Sequence, residues 1–78
     1  MDRDKSLMMF GLRLKDFRLQ KKMSQESLAE ICNLDRTYIS GLERGLRNPS
    51  LICILRVSRG LGINASDLVE GLGCKNDR

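Results

Sequence analysis

The stretch SQESLAEICNLDRTYISGLERG, residues 24–45, decides the fold of this chain. Ser24 is placed to cap a short helix that ends near Cys32, and Asp35 is placed to cap another that continues to about Glu43. The turn between them contains Asn33, a residue that tolerates the left-handed backbone that the C-terminus of a helix often needs. The stretch therefore predicts two short helices joined by a tight turn.

Apolar residues in the same stretch predict how the two helices pack. Ala29 stands where two helices that cross at a steep angle need a small side chain. A short helix, a tight turn and a second helix with a polar start form the pattern of a helix-turn-helix motif. The residues expected on the buried side are Leu28, Ala29, Ile31, Cys32, Leu34, Ile39 and Leu42.

Helices are also expected on both sides of this motif. Leu7, Phe10, Leu14 and Phe17 recur every three or four residues, which predicts a helix from about Ser6 to Lys22. After the motif, we expect a helix over 51–61, capped by Ser50 and stopped by Gly62, and a brief one that starts at Asn64 or Ser66 and ends after Val69. The predicted fold is all-α, with five helices in one domain over residues 1–78. Its ordered core is expected over about 6–73, and a frayed tail over 74–78.

The composition limits what such a domain does. With 78 residues, 41 % of them hydrophobic and 31 % charged, the chain has room for one small globular domain. Its net charge of +4 is compatible with nucleic-acid binding but does not establish it. Three aromatic residues are too few for a base-stacking platform. No apolar run approaches the roughly 20 residues of a membrane span, and the run over 7–10 is too short for a signal peptide, so a cytoplasmic location is expected.

Metal, cofactor and enzyme chemistry find little support in the residues. The chain has no histidine, and Cys32, Cys53 and Cys74 are too far apart in sequence to form a CxxC pair. A glycine-rich phosphate loop and a plausible pair of catalytic carboxylates are also lacking. We therefore expect reduced thiols, no metal, no cofactor and no enzymatic activity.

The motif resembles the DNA-binding motif of the Cro and lambda-repressor-like helix-turn-helix family. The wider frame is similar too, from FGLRLKDFRLQKKM (10–23) to LRVSRGLGINASDL (55–68), so the resemblance covers about residues 7–72. Asn33 departs from the glycine most often found in the family at that turn. Within the family, LDRTYISGLERGLRN (34–48) and the short length resemble the controller proteins of restriction–modification systems, which are small dimeric regulators without an effector domain.

The resemblance implies which residues meet double-stranded DNA. The first turns of the second motif helix enter the major groove, where Arg36 is suited to a bidentate contact with guanine and Thr37 to a thymine methyl or a base edge. Gly41 is unusual inside a helix, and either close approach to DNA or simple packing explains it. The expected base-contacting residues are Arg36, Thr37, Ser40 and Gly41. Those expected at the sugar–phosphate backbone are Gln25, Tyr38, Arg44, Arg47 and Asn48.

Two further residues are expected to serve the fold. The family positions that match Arg18 and Glu43 form a buried or half-buried ion pair between the first and third helices, so the resemblance implies a structural pair here. Read without the resemblance, Arg18 belongs to a basic helix face and Glu43 repels DNA.

The fourth helix predicts self-association. Leu51, Ile54, Val57 and Leu61 form one apolar stripe, yet other positions of the same helix are apolar as well. A small domain with two apolar faces on one helix needs a second chain to cover one of them, which predicts a two-fold homodimer. The expected interface residues are Ile52, Leu55, Arg56, Val69 and Leu72.

A dimer places two recognition helices about 34 Å apart, one turn of DNA, and so predicts a palindromic operator. The resemblance implies autoregulation through activation at one operator and repression at another. RNA polymerase is then a possible partner, with Glu26 or Glu30 as its contact. Two alternatives within DNA binding stay open, a phage Cro-like repressor and the antitoxin of a toxin–antitoxin pair. A third, a protein-interaction module without DNA binding, predicts acidic or apolar residues where Arg36, Thr37 and Ser40 stand.

Overall fold

Five α-helices make up the secondary structure of residues 4–73, the part of the chain that the computed structural model describes. The helices are α1 (Lys5–Gln20), α2 (Gln25–Cys32), α3 (Arg36–Glu43), α4 (Leu51–Leu61) and α5 (Ala65–Val69). No strand occurs in this range, so the all-α prediction is confirmed. The tail predicted over 74–78 lies outside the described residues. None of the five helices is both long and apolar enough to span a membrane.

Side-chain caps start α1, α2 and α4, and the sequence predicts those of α2 and α4. The hydroxyl of Ser24 accepts from the backbone N–H of Ser27 over 2.9 Å, and that of Ser50 accepts from Cys53 over 3.1 Å. Helix α1 begins one residue before the predicted position because Asp4 caps it, accepting from the Ser6 N–H over 2.7 Å. These hydrogen bonds satisfy backbone donors that have no partner inside the helix.

The turn between α2 and α3 has the predicted geometry. Asn33 adopts φ 58° and ψ 46°, in the left-handed region. The backbone N–H of Leu34 then donates to the carbonyl of Ala29 over 2.9 Å, which closes the end of α2. Ala29 is only 3 % exposed, as expected of a small residue between packed helices. This turn sets the angle between α2 and α3.

The core is almost entirely aliphatic and draws on all five helices. Ile39 and Leu42 of α3 are fully buried, and Cys32 is buried as a small hydrophobe. Phe17, Leu34 and other half-buried side chains pack around this cluster. The buried hydrophobic residues are Phe10, Leu14, Leu28, Ala29, Cys32, Ile39, Leu42, Cys53, Val57, Leu61 and Leu68.

Two predicted core positions are wrong. Ile31 is 59 % exposed and Leu51 is 69 % exposed. Helix α4 buries Cys53, Val57 and Leu61 at intervals of four, so Leu51, two residues before Cys53, falls on the opposite side of the helix. Ile31 likewise lies off the buried side of α2. Both side chains are apolar, and their hydrophobicity alone does not show which side of a short helix faces the core.

Helices α1 and α3 approach each other more closely than ordinary side chains permit. A Cβ atom added at Gly11 would overlap the carbonyl oxygen of Leu42 and lie 2.5 Å from the carbonyl oxygen of Glu43. The glycine therefore brings the α1 backbone against the last turn of α3. Contacts between these two helices are among the most extensive in the domain.

A buried ion pair crosses the same α1–α3 junction. Arg18 Nε lies 2.6 Å from Glu43 Oε2 and Nη2 lies 3.0 Å from Oε1, with the two side chains only 9 % and 3 % exposed. The Arg18 Nη1 atom donates to the carbonyl of Met23 over 2.8 Å, and the amide of Gln25 donates to Glu43 Oε1 over 2.9 Å. The carboxylate thus receives donors from α1 and α2 while it belongs to α3.

Substitution of Arg18 by Ala is expected to destabilise the domain by about 3–5 kcal/mol, because it leaves the Glu43 carboxylate buried without its cation. Urea unfolding followed by circular dichroism measures the loss. The matched control is the double variant Arg18→Met with Glu43→Leu, which removes both charges and should unfold much closer to the natural chain. A loss below about 1 kcal/mol in Arg18→Ala, typical of an exposed pair, would contradict this account.

Candidate nucleic-acid interface

The N-terminal tip of α3 is exposed, and Asp35 and Thr37 line a surface concavity together with Ile52 and Arg56 of α4. Asp35, Arg36 and Thr37 are exposed, whereas Ile39 and Glu43 on the same short helix are buried. Ser40 is half-buried beside the tip. The helix is therefore held by one side and by its C-terminal end, and a short polar tip faces solvent.

Asp35 does not cap α3 in the way the sequence predicts. It occupies the N-cap position, but its side chain accepts no hydrogen bond from the helix backbone. Its Oδ2 atom instead accepts from the hydroxyl of Thr37 over 2.6 Å. The position was predicted correctly and the partner was not, because a hydroxyl two residues later competes for the carboxylate.

Gly41 lies underneath Arg47. The glycine is buried, and a Cβ atom added to it would lie 2.8 Å from Arg47 Cγ. The predicted direct contact between Gly41 and DNA does not fit this arrangement, since the arginine side chain covers it. Packing explains the glycine instead: it makes room for an arginine that returns from the loop after α3.

The same arginine stacks on an aromatic ring. The guanidinium carbon of Arg47 lies 5.7 Å from the centroid of the Tyr38 ring, which is a cation–π distance. Burial raises the pKa of the Tyr38 phenol, hydrogen bonding to Cys53 raises it further, and the positive charge of Arg47 lowers it. The phenol is therefore protonated at neutral pH, and Tyr38 and Arg47 form one unit beside the tip. Both residues were predicted to contact DNA, but the sequence did not indicate their contact with each other.

The other predicted backbone-contacting residues lie at the start of α2 and in the segment after α3. Arg44 and Asn48 are exposed in the segment after α3. Gln25, at the start of α2, is half-buried and donates one amide N–H to Glu43, a contact that the sequence did not indicate. Arg36, Arg44 and Arg47 give this side of the domain three exposed positive charges.

Further exposed residues lie on α4 and α5, two helices that pack against each other. Ile52 is 59 % exposed and Val69 is 38 % exposed, although both are apolar. Arg56 is exposed, and Leu55 and Leu72 are half-buried.

On α2, Glu26 and Glu30 are exposed and face solvent. Burial raises the pKa of the Cys32 thiol, and the positive charge of Arg56 lowers it. No metal-binding cluster occurs in residues 4–73.

Comparison with known proteins identifies the family. The model of a helix-turn-helix family matches residues 14–68 of this chain. The chain belongs to this helix-turn-helix family. The control protein C.BamHI of Bacillus amyloliquefaciens is 48 % identical over 64 residues, which is 81 % of this chain and 79 % of that protein. The predicted likeness to the Cro and lambda-repressor-like group, and to its controller proteins, is confirmed.

Solved structures agree with the helix-turn-helix assignment. The crystal structure of the restriction–modification controller protein C.AhdI from Aeromonas hydrophila matches with a TM-score of 0.82 and 45 % identity, covering 83 % of this chain and 98 % of that one. The C.Esp1396I controller tetramer in complex with its natural 35 base-pair operator matches with a TM-score of 0.79 and 39 % identity. That match covers 88 % of this chain and 91 % of that one.

The covering of Gly41 by Arg47 makes a prediction about Tyr38, the only tyrosine in the chain. Gly41→Ala should displace Arg47 without unfolding the domain, because a flexible side chain moves more easily than backbone. Since the charge of Arg47 lowers the Tyr38 pKa, the pKa should then rise. Titration of tyrosine absorbance measures it.

Arg47→Ala is the matched control, and it should raise the Tyr38 pKa by at least as much as Gly41→Ala does. The double variant should match Arg47→Ala alone, since the cation is already gone. If Gly41→Ala leaves the pKa unchanged while Arg47→Ala raises it, the glycine is not what holds Arg47 in place.

Proposed function

We propose that this chain is a sequence-specific, double-stranded DNA-binding transcription regulator, which acts as a homodimer to control a restriction–modification system. The observation that carries the proposal is the exposed tip of α3, where Arg36 and Thr37 stand free of the core. The similarity to controller proteins over most of both chains supports the controller role. A match to a controller bound to its operator supports DNA as the ligand.

Base reading is assigned to the tip. Arg36 presents donors that match guanine O6 and N7, while Thr37 and Ser40 present small hydroxyls to neighbouring base edges. Gly41 contributes indirectly, through the seat it provides for Arg47. Exposed side chains on a helix that is held by its buried side combine a fixed approach angle with direct contact to bases.

Backbone contacts are assigned to the residues around the tip. Arg44, Arg47 and Asn48 follow α3 and supply positive charge and amide donors for phosphates on one side. Tyr38 belongs to the same group through its stack with Arg47. At the buried end of α3, Gln25 gives one N–H to Glu43 and keeps a second for a phosphate at the start of α2.

The dimer is assigned to the surface on α4 and α5. Ile52, Leu55 and Arg56 of α4, with Val69 and Leu72, supply apolar area that a second copy covers. Two copies related by a two-fold axis read a palindromic operator. Because dimer formation and DNA binding both depend on protein concentration, regulation depends on it as well. Autoregulation by activation and repression also needs RNA polymerase, for which Glu26 or Glu30 on α2 is the proposed contact. We propose a cytoplasmic location, since that is where such a DNA target lies.

A phage Cro-like repressor or an antitoxin regulator would use the same tip in the same way. The identity of the neighbouring gene separates these alternatives from the controller role. A restriction endonuclease or methyltransferase gene beside this one favours the controller role, whereas a phage or toxin gene favours the others.

The assignment of base reading to the tip gives a prediction for Arg36. Arg36→Ala should reduce discrimination between the operator and random duplex by about 1–3 kcal/mol while the melting temperature stays unchanged, because a bidentate guanine contact is lost. Fluorescence anisotropy on both duplexes measures it. Lys15→Ala, which removes an exposed positive charge from α1, is the control and should leave discrimination intact. Equal loss on both duplexes in Arg36→Ala would assign this residue to phosphate instead.

The proposed dimer surface gives a prediction for Ile52. Ile52→Asp places a carboxylate in the proposed apolar interface, so sedimentation equilibrium should yield the monomer mass. Leu12→Asp is the matched control, since Leu12 is 58 % exposed on α1 and Ile52 is 59 % exposed on α4. The control should retain the dimer mass. An Ile52→Asp variant that remains dimeric would place the interface elsewhere.

A further inference from the structure

The hydrogen bond between Asp35 and Thr37 joins two side chains at the tip of α3. It does not cap the backbone of the helix. Thr37 donates its hydroxyl hydrogen to Asp35 Oδ2 over 2.6 Å, and both side chains are exposed. The Asp35 carboxylate makes no hydrogen bond to the helix end that it adjoins. Its hydrogen-bond partner is therefore another side chain of the tip, and the bond orders the Thr37 hydroxyl.

This bond limits what Thr37 offers to a ligand. A threonine hydroxyl has one hydrogen to donate and two lone pairs that accept. When the hydrogen is held by an ionised carboxylate, in a strong charge-assisted bond, only the accepting role is left. Asp35 and Thr37 together then present acceptors alone, next to Arg36, which presents donors alone.

We propose that Asp35 is a specificity-determining residue that acts through Thr37. By holding the hydroxyl hydrogen, Asp35 restricts Thr37 to bases that present an amino group in the major groove, namely cytosine through N4 and adenine through N6. Guanine presents only the N7 and O6 acceptors there and is rejected. Thymine is left with a methyl contact to the Thr37 methyl. This inference rests on the proposed function, because it requires Thr37 to face base edges.

The charge of Asp35 alone has a different effect. A carboxylate near DNA repels the phosphates of every duplex, whatever its sequence. Its removal therefore strengthens binding uniformly. Loss of the hydrogen bond instead changes the preference at one base pair in each half-site, and base preference is the measurement that separates the two effects.

The test is selection from random duplex DNA by the natural chain and by variants of Asp35 and Thr37. The natural chain should prefer cytosine or adenine to guanine at the base that faces Thr37. In Asp35→Ala this preference should fall roughly three- to tenfold, because the freed hydroxyl donates to guanine. Thr37→Val, which has nearly the same shape without a hydroxyl, should also lose it. Adding Asp35→Ala to Thr37→Val should change it no further.

Asp35→Asn is the control for charge. It keeps an oxygen that accepts from Thr37, so it should bind all duplexes more tightly and retain the preference. Melting temperatures near that of the natural chain establish that the variants are folded. An Asp35→Ala variant with unchanged preference, or additive effects in the double variant, would overturn the inference. If the natural chain selects no sequence at all, the proposed function fails, and this inference fails with it.

Discussion

The buried carboxylate of Glu43 holds the helix-turn-helix together. It is the last residue of α3, it pairs with Arg18 of α1 and it accepts from Gln25 at the start of α2. Gly11 allows the α1 backbone to reach the same place. Three helices are thereby fixed relative to one another around one charge, and removal of its cation is costly because the site is closed to water. The direction of the α3 tip is set from its buried end.

This arrangement divides α3 into two parts with different chemistry. Its buried part is apolar apart from the paired carboxylate, and its exposed tip is polar. At the tip, Arg36 supplies donors while Asp35 and Thr37 supply acceptors, so neighbouring side chains differ in the base edges that they match. Arg47 returns over Gly41 and stacks on Tyr38, which adds positive charge beside the tip without lengthening the helix.

Much of the fold could be predicted from the sequence because caps and turns are local. Ser24, Ser50 and Asn33 identified helix ends correctly. Ile31 and Leu51 were placed wrongly in the core, since hydrophobic character alone does not fix the phase of a short helix. The Asp35–Thr37 hydrogen bond was not predicted, because the sequence alone does not show whether the Asp35 carboxylate accepts from the helix backbone or from the Thr37 hydroxyl. More distant contacts, such as Arg47 over Gly41, have no pattern in the sequence, and the Arg18–Glu43 pair was anticipated only through the family resemblance.

The central claim is that two copies of one rigidly held tip read one duplex. Selection of binding sites from random duplex DNA by the natural chain tests it most directly, since it reports symmetry and spacing together. The account predicts enrichment of an inverted repeat whose half-site centres lie about 10 base pairs apart, or a multiple of that distance, because the two tips enter successive major grooves on one face. Enrichment of a single asymmetric site, of a direct repeat, or of no sequence at all would contradict it.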